Sequence, residues 1–293
     1  YSPIYLIDGV FRYQNGEWDA FQLPTNNDYV RDVVSVKIDP ADNQHVFAAS
    51  WGTGLAELRN GAIADTFNSF NGVLVGLPDY PTDIRLADVE MDSDGRVWIS
   101  SSSSAKPIQM RETDGTWRGF SFSSLINNQF VGDLMIDSIG QKWMIVQNRG
   151  LMVANIDDGT VNSFKLLTDQ VGNGAMSSSI VLCMAQDQEG QVWVGTSKGV
   201  SVFYSPEAIL QSGTNVNWDS QKIIVSQGGF NQYLLESEEV TSILVDGANR
   251  KWLGTRNAGL FLVSANGEEQ LQHFTSENSP LLSNTIVALE MNG

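Results

Sequence analysis

An all-β fold is predicted by three observations. First, a strand–turn–strand signature recurs, with an Asp six residues before a Trp: Asp92 and Trp98, Asp137 and Trp143, Asp187 and Trp193, Asp246 and Trp252. A looser copy places Asp39 eight residues before Phe47. Second, the aromatic positions Phe47, Trp98, Trp143, Trp193 and Trp252 are spaced 51, 45, 50 and 59 residues apart, the span of a four-stranded propeller blade. Third, no segment carries sustained helical periodicity. Together they predict a single β-propeller over residues 1–293, with six blades and seven as the alternative count.

The elements follow in chain order. Ile4–Ile7, Gly9–Tyr13 and Glu17–Leu23 read as the last three strands of a blade, with Asn15-Gly16 as a hairpin turn. Leu23–Asp28 is a polar loop. Val33–Phe67 is the next blade, with Asn60-Gly61 at its outer hairpin, and Asn68–Thr82 is a long connection of the kind that often carries binding. The Asp92/Trp98 blade turns at Asp114-Gly115, and Ser100–Ser104 reads as an extended, mobile loop. The Asp137/Trp143 blade turns at Asp158-Gly159 and ends near Phe164; Gly172–Ser179 is a flexible connector. In the Asp187/Trp193 blade, Pro206–Leu210 is a helical turn ahead of a fourth strand at Ile223–Val225. The last full blade uses Asn266-Gly267. Thr285–Met291 reads as a first strand, with Asn292-Gly293 where the other copies have Asp and the turn. Its pairing with the N-terminal strands closes the ring and removes free sheet edges. Fourth strands end near Phe21, Phe67, Phe120, Phe164 and Phe274. A start in mid-blade suggests a piece of a longer multidomain chain.

Composition narrows the function. The net charge is −17 with pI near 4.3, which argues against nucleic-acid partners. No apolar run is long enough for a transmembrane helix. Cys183 is the only cysteine and reads as a buried, inert thiol. His45 and His273 lie in different blades and read as surface or packing residues, so no metal site is expected. Asp92-Ser93-Asp94-Gly95 is too short for a calcium loop. Its Asp caps its own turn and its Gly takes the positive φ. The adjacent carboxylates Glu238-Glu239 and Asp157-Asp158 read as solvated, and the repeated Trp residues as core spacers. No catalytic residue, metal or cofactor is assigned, and no enzyme activity is expected.

One pattern suggests recognition. The loops between second and third strands share a face in a propeller. Four of five carry a cation: Lys106, Arg149, Lys198 and Arg256, the last beside Asn257. Such a rim on an acidic chain would attract an anionic ligand. The fifth loop, Ser50–Thr53, offers Trp51 for stacking on a sugar.

The spacing in Val181–Val200 and Val240–Leu260, V-x-x-I-x-x-D-x-x-G-x-x-W-x-G-T-x-x-G-L, resembles the two-component-regulator propeller repeat. Val245–Ser283, Trp193–Pro206 and Ser50–Glu57 are further similar to PorZ-like proteins of the Bacteroidota type IX secretion machinery. That resemblance runs along essentially the whole chain. It implies a non-enzymatic, cell-surface, outer-membrane-associated binding or scaffold module whose partners are attachment-complex proteins and anionic lipopolysaccharide. The alternative is a periplasmic glycan-sensing propeller of a hybrid two-component regulator.

Overall fold

The computed structural model describes residues 9–14, 16–21, 31–69, 72–157, 159–211, 217–227 and 230–291. The expected strand at Ile4–Ile7, the turn residues Asn15 and Asp158, the loop Leu23–Asp28 and the pair Asn292-Gly293 lie outside them. The strands in order are β1 (Val10–Gln14), β2 (Glu17–Phe21), β3 (Val33–Asp39), β4 (Asp42–Gly52), β5 (Gly54–Arg59), β6 (Ala62–Phe67), β7 (Ile84–Met91) and β8 (Val97–Ser101). β9 (Ile108–Arg111), β10 (Trp117–Phe120), β11 (Val131–Ile136), β12 (Lys142–Val146), β13 (Gly150–Asp157), β14 (Thr160–Leu167), β15 (Val181–Gln186) and β16 (Val192–Thr196) follow. After β17 (Gly199–Phe203) comes a 3-10 turn at Pro206–Ala208, as its proline predicts, then β18 (Ile224–Gln227) and β19 (Phe230–Tyr233). The chain ends with β20 (Val240–Val245), β21 (Lys251–Thr255), β22 (Leu260–Val263) and β23 (Gln270–Phe274).

The chain divides into two compact units, Tyr1–Ile136 with Ile156–Asn162, and Asp137–Asn155 with Ser163–Gly293. In the first, β1 and β2 form a hairpin, and β3–β6 and β7–β10 are meanders joined where β4 runs on to meet β7. That overrun changes one expectation. Ser50–Thr53 is not an open loop: Trp51 pairs with Arg85 across the β4–β7 contact and is only 6 % exposed. The second unit holds the three-stranded sheet β15-β16-β17, the hairpin β18–β19 and the four-stranded sheet β20–β23. β11–β14 form a further four-stranded meander.

The repeat has one physical explanation. In each copy the first Asp oxygen, Oδ1, accepts the backbone N–H groups two and four residues on. For Asp137 these are Ile139 (3.1 Å) and Gln141 (2.8 Å); for Asp187, Glu189 and Gln191 (both 2.9 Å). The other oxygen, Oδ2, accepts the indole N–H six residues on. The distances are 2.8 Å at Trp98, 2.9 Å at Trp143, 3.1 Å at Trp193 and 3.3 Å at Trp252. One carboxylate therefore satisfies three donors, and the buried indoles need such a partner. The positive-φ residue sits three after the Asp: Gly95, Gly140 and Gly190, but Asn249 rather than Gly247 in the last copy. Asn tolerates that conformation through its short polar side chain.

The looser copy keeps the same logic with the partners exchanged. Phe47 pairs with Lys37, two residues before Asp39, as Trp98 pairs with Glu90, two before Asp92. Phe47 thus fills the tryptophan's register and is fully buried. It has no N–H to donate, and His45, six residues after Asp39, meets that carboxylate at 2.9 Å instead.

Two further expectations give way. The long interval before Trp252 holds the 3-10 turn and the hairpin β18–β19 among the described residues. The fourth strand expected at Ile223–Val225 does not extend the β15–β17 sheet: β18 pairs with β19, and β17 is met only by a single bridge from Gln221 to Val202. Pro206 opens the 3-10 turn that leads the chain away from β17. Thr285–Met291 carries no strand; Ile286 donates to Thr255 O (2.9 Å) and accepts from Thr241 Oγ1 (2.5 Å), lying against the last sheet. The aromatics placed in fourth strands are borne out at Phe67, Phe120, Phe164 and Phe274, while Phe21 lies in β2 of the two-stranded hairpin.

Cations join the Asp anchors. Arg96 and Arg250 donate to Asp92 and Asp246 at 2.7 and 2.8 Å. Burial pushes both carboxyls up, but these hydrogen bonds and those from the turn and indole outweigh it and hold them below the usual range. At Asp137 no arginine pairs with the carboxyl among the described residues, and burial outweighs the hydrogen bonds, raising the value. Asp187 is served by Lys251 of the neighbouring sheet, with both side chains at 0 % exposure and 2.9 Å apart. Lys251 Nζ also donates to Asn249 O and Ala265 O and lies 4.5 Å from the Trp193 ring centre. Lys251→Met should cost about 3–5 kcal/mol by leaving Asp187 a buried, unpaired charge. Lys251→Met with Asp187→Asn should recover part of that loss. Urea unfolding of both variants checks it.

Candidate functional site

The second-to-third-strand turns of the second unit are built alike. At the β16–β17 turn, Thr196 is fully buried; its hydroxyl donates to Gly199 O and accepts from Lys198 N, both at 3.0 Å. At the β21–β22 turn, Thr255 donates to Gly259 O (2.8 Å) and accepts from Ala258 N (2.9 Å). The preceding glycines are there for space: a Cβ at Gly195 would lie 2.4 Å from Cys183 Sγ, and one at Gly254 would lie 2.2 Å from Ser242 Oγ. The G-T pair in the repeat is therefore packing followed by a turn brace. What it leaves outward is variable: Lys198 in one turn, Arg256 and Asn257 in the other, all exposed. At the β12–β13 turn, Gln147, Asn148 and Arg149 are exposed, with Asn148 at φ 57.

These cations differ in their surroundings. Arg149 and Lys198 have no acidic partner among the described residues. Arg256 is already held by the Glu239 carboxylate. The connector before β20 ties two of the turns together: Gly199 N donates to Glu238 O (2.9 Å), and Arg256 N donates to Glu239 O (3.0 Å).

In the first unit the expected rim residues are less available. Trp51 is buried and offers no ring face to a ligand. Lys106 is half-buried, its stem against Gly119. The serine loop is pinned rather than mobile. Ser100 Oγ donates to Gly132 O, Ser104 Oγ donates to Val75 O, and Ser102 Oγ accepts from Val131 N. Short hydroxyl side chains supply the hydrogen bonds that a buried loop's backbone lacks.

Cys183 is buried, as its neighbours predict, with Sγ 3.4 Å from Val240 O. His45 lies between Asp39 and Glu57, 2.9 Å from each. His273 stacks on Phe261, ring centres 3.9 Å apart, and its Nε2 donates to Ala258 O. Among the described residues no group of His, Cys, Asp and Glu could hold a metal ion, and no helix is long and apolar enough to cross a membrane.

One cluster escapes a reading based on motifs. Asp88 on β7 accepts from Ser35 Oγ of β3 (2.6 Å) and from Leu134 N of β11 (2.8 Å). Glu90 pairs with Lys37 at 2.5 Å. Burial raises both Asp88 and Glu90. Asp133, on β11, is pushed up to about 6, by burial first and by the Asp88 charge second. Protein crowds its carboxyl although the residue as a whole is exposed. The sequence signal is modest: acidic residues at alternate positions of a strand, Asp88 and Glu90.

The sign of the pH effect follows. Asp133 releases its proton more easily unfolded than folded, so folding is opposed as pH rises from about 4 to 6 and by a constant amount above that. Asp133→Asn should match the parent near pH 4 and exceed it in Tm above pH 6, a gap that parallel thermal melts would show.

The comparisons agree on the architecture. The model of the family "Two component regulator propeller" matches residues 175–198. Histidine kinase P4 of Formosa agariphila is 28 % identical over 101 residues, 34 % of this chain and 7 % of that protein. PorZ of Porphyromonas gingivalis, an essential bacterial surface component of the type-IX secretion system, superposes with a TM-score of 0.84 at 26 % identity, over 96 % of this chain and 40 % of PorZ. The extracellular domain of the hybrid two-component system BT3049 of B. thetaiotaomicron gives a TM-score of 0.64 at 14 % identity, over 96 % of this chain and 34 % of that one. The fold is a β-propeller, and the chain is PorZ-like in sequence and structure. It spans well under half the length of each of these proteins.

Proposed function

We propose that this propeller is a non-catalytic binding and scaffold module of a cell-surface, PorZ-like secretion component, and that its exposed turns engage an anionic lipopolysaccharide or a partner protein of the attachment complex. The observation that carries the reading is the pair Arg149 and Lys198. Both are exposed on turns of the second unit with no acidic partner among the described residues, in a chain of net charge −17. Counter-ion-free cations on such a protein concentrate an anion locally. The similarity to PorZ over 96 % of the chain supports the cellular setting. Lys106, Arg256 and Asn257 are secondary contacts, since Lys106 is half-buried and Arg256 already has Glu239.

A second reading is a glycan-sensing propeller of a hybrid two-component regulator, exposed to the periplasm. The repeat match at residues 175–198 and the similarity to Histidine kinase P4 favour it.

Binding of purified anionic lipopolysaccharide, measured by surface plasmon resonance, tests the first reading. Arg149→Glu with Lys198→Glu should weaken it at least tenfold, and a Lys222→Glu control should not. Unchanged binding by the double variant sinks the assignment to these turns. Selective binding of neutral oligosaccharides, unaffected by either change, would move the balance to the sensor.

A further inference from the structure

A cleft of about 640 Å³ opens in the second unit between the hairpin β18–β19 and the sheet β20–β23. Its apolar wall includes Leu234 and Phe261, with the His273 ring laid flat on Phe261 at 12° between planes. The Ala258 O bond to Nε2 holds that imidazole in place. Tyr233 lines the cleft on the hairpin side and is 43 % exposed. The cleft thus has aromatic residues on both walls, and Lys222 Nζ lies 5.3 Å from the Tyr233 ring centre.

Its polar lining has one sign. Glu236 and Glu238 come from the segment after β19, Glu268 and Glu269 from the turn before β23. None of the four pairs with a cation among the described residues, although eleven of the ion pairs there join Lys or Arg to a carboxylate. Glu17, Asp65 and Asp79 also lack a cation among the described residues, but the four glutamates here line a single cleft. Low-dielectric walls beside them focus the field into the cleft.

From the joint presence of aromatic faces and uncompensated carboxylates in one open cleft, we propose that it is a docking groove for a partner protein presenting an extended segment rich in lysine or arginine. Lys222 shows that the Tyr233 ring takes an ammonium; a partner's ammonium or guanidinium over Tyr233 or the outer face of His273 gains a cation–π or stacking contact, and the surrounding glutamates neutralise it. The long apolar stems of Lys and Arg match the apolar wall. The shape selects a polypeptide. The cleft lies along β23, the exposed outer strand of its sheet, and is open to solvent, as suits a chain laid beside a strand edge. The site is opposite in charge to the cationic turns, although Glu238 O bonds Gly199 N beside Lys198, and its test leaves the residues of those turns unchanged.

Calorimetric titration of the protein with a penta-lysine peptide at low and physiological salt reads the proposal. Glu236→Gln, Glu268→Gln and Glu269→Gln together should weaken binding at least tenfold. A charge-matched triple in the first unit, Glu17→Gln, Asp65→Asn and Asp79→Asn, should change it less than twofold. Tyr233→Leu, which alters no charge, should weaken it about threefold. Circular dichroism melts confirm that the variants fold. Equal losses in the two triples would reduce the effect to net charge and overturn the proposal, as would absent binding by the parent protein. Spermine binding as tightly as the peptide would replace the polypeptide with a small amine and overturn the stated occupant.

Discussion

A single carboxylate that takes three donors organises the structure. Each repeat Asp closes its own turn with one oxygen and anchors an indole with the other, so a hairpin and a core side chain are positioned by one group. A buried indole N–H without an acceptor costs on the order of 1–3 kcal/mol. The six-residue spacing is therefore the distance along the chain at which one side chain can serve both ends. Where the indole is replaced by Phe47, the anchor passes to His45, which shows that the acceptor matters more than the identity of the donor.

The exposed turns inherit their character from that frame. Glycine before threonine lets the adjoining strand approach, and the threonine hydroxyl ties the turn shut. With the backbone needs met from inside, Arg149 and Lys198 hold no ion pair among the described residues, and Arg256 holds one to Glu239. Lysine, arginine and asparagine there can vary with a ligand at little cost to the fold. A rigid scaffold bearing free loop positions is the usual arrangement for recognition.

Much of the fold is legible in the chain because the Asp–Trp spacing and the Asn-Gly and Asp-Gly turns are local chemistry. What stays hidden depends on partners distant in sequence. Trp51 looks like an open loop residue until β4 is seen to continue and pair with β7. Ser100–Ser104 has the composition of a mobile linker, and only acceptors such as Gly132 O and Val75 O, far along the chain, reveal it as pinned. Ile223–Val225 has the pattern of a fourth strand, but a strand pattern does not name its neighbour, and here it joins a hairpin. The four glutamates of the cleft come from two separate segments and look like ordinary surface charge when read singly.

The buried Lys251 carries a consequence for how the molecule comes apart. Its ammonium is shared between its own sheet and the Asp187 turn of the neighbouring one, and both side chains are fully buried. Neither sheet can peel away alone without stranding a bare ion in a greasy interior, so the two are fused into one opening unit. Slow amide exchange across β16 and β21 would then rise and fall together, and a protease would find no halfway state there to cut.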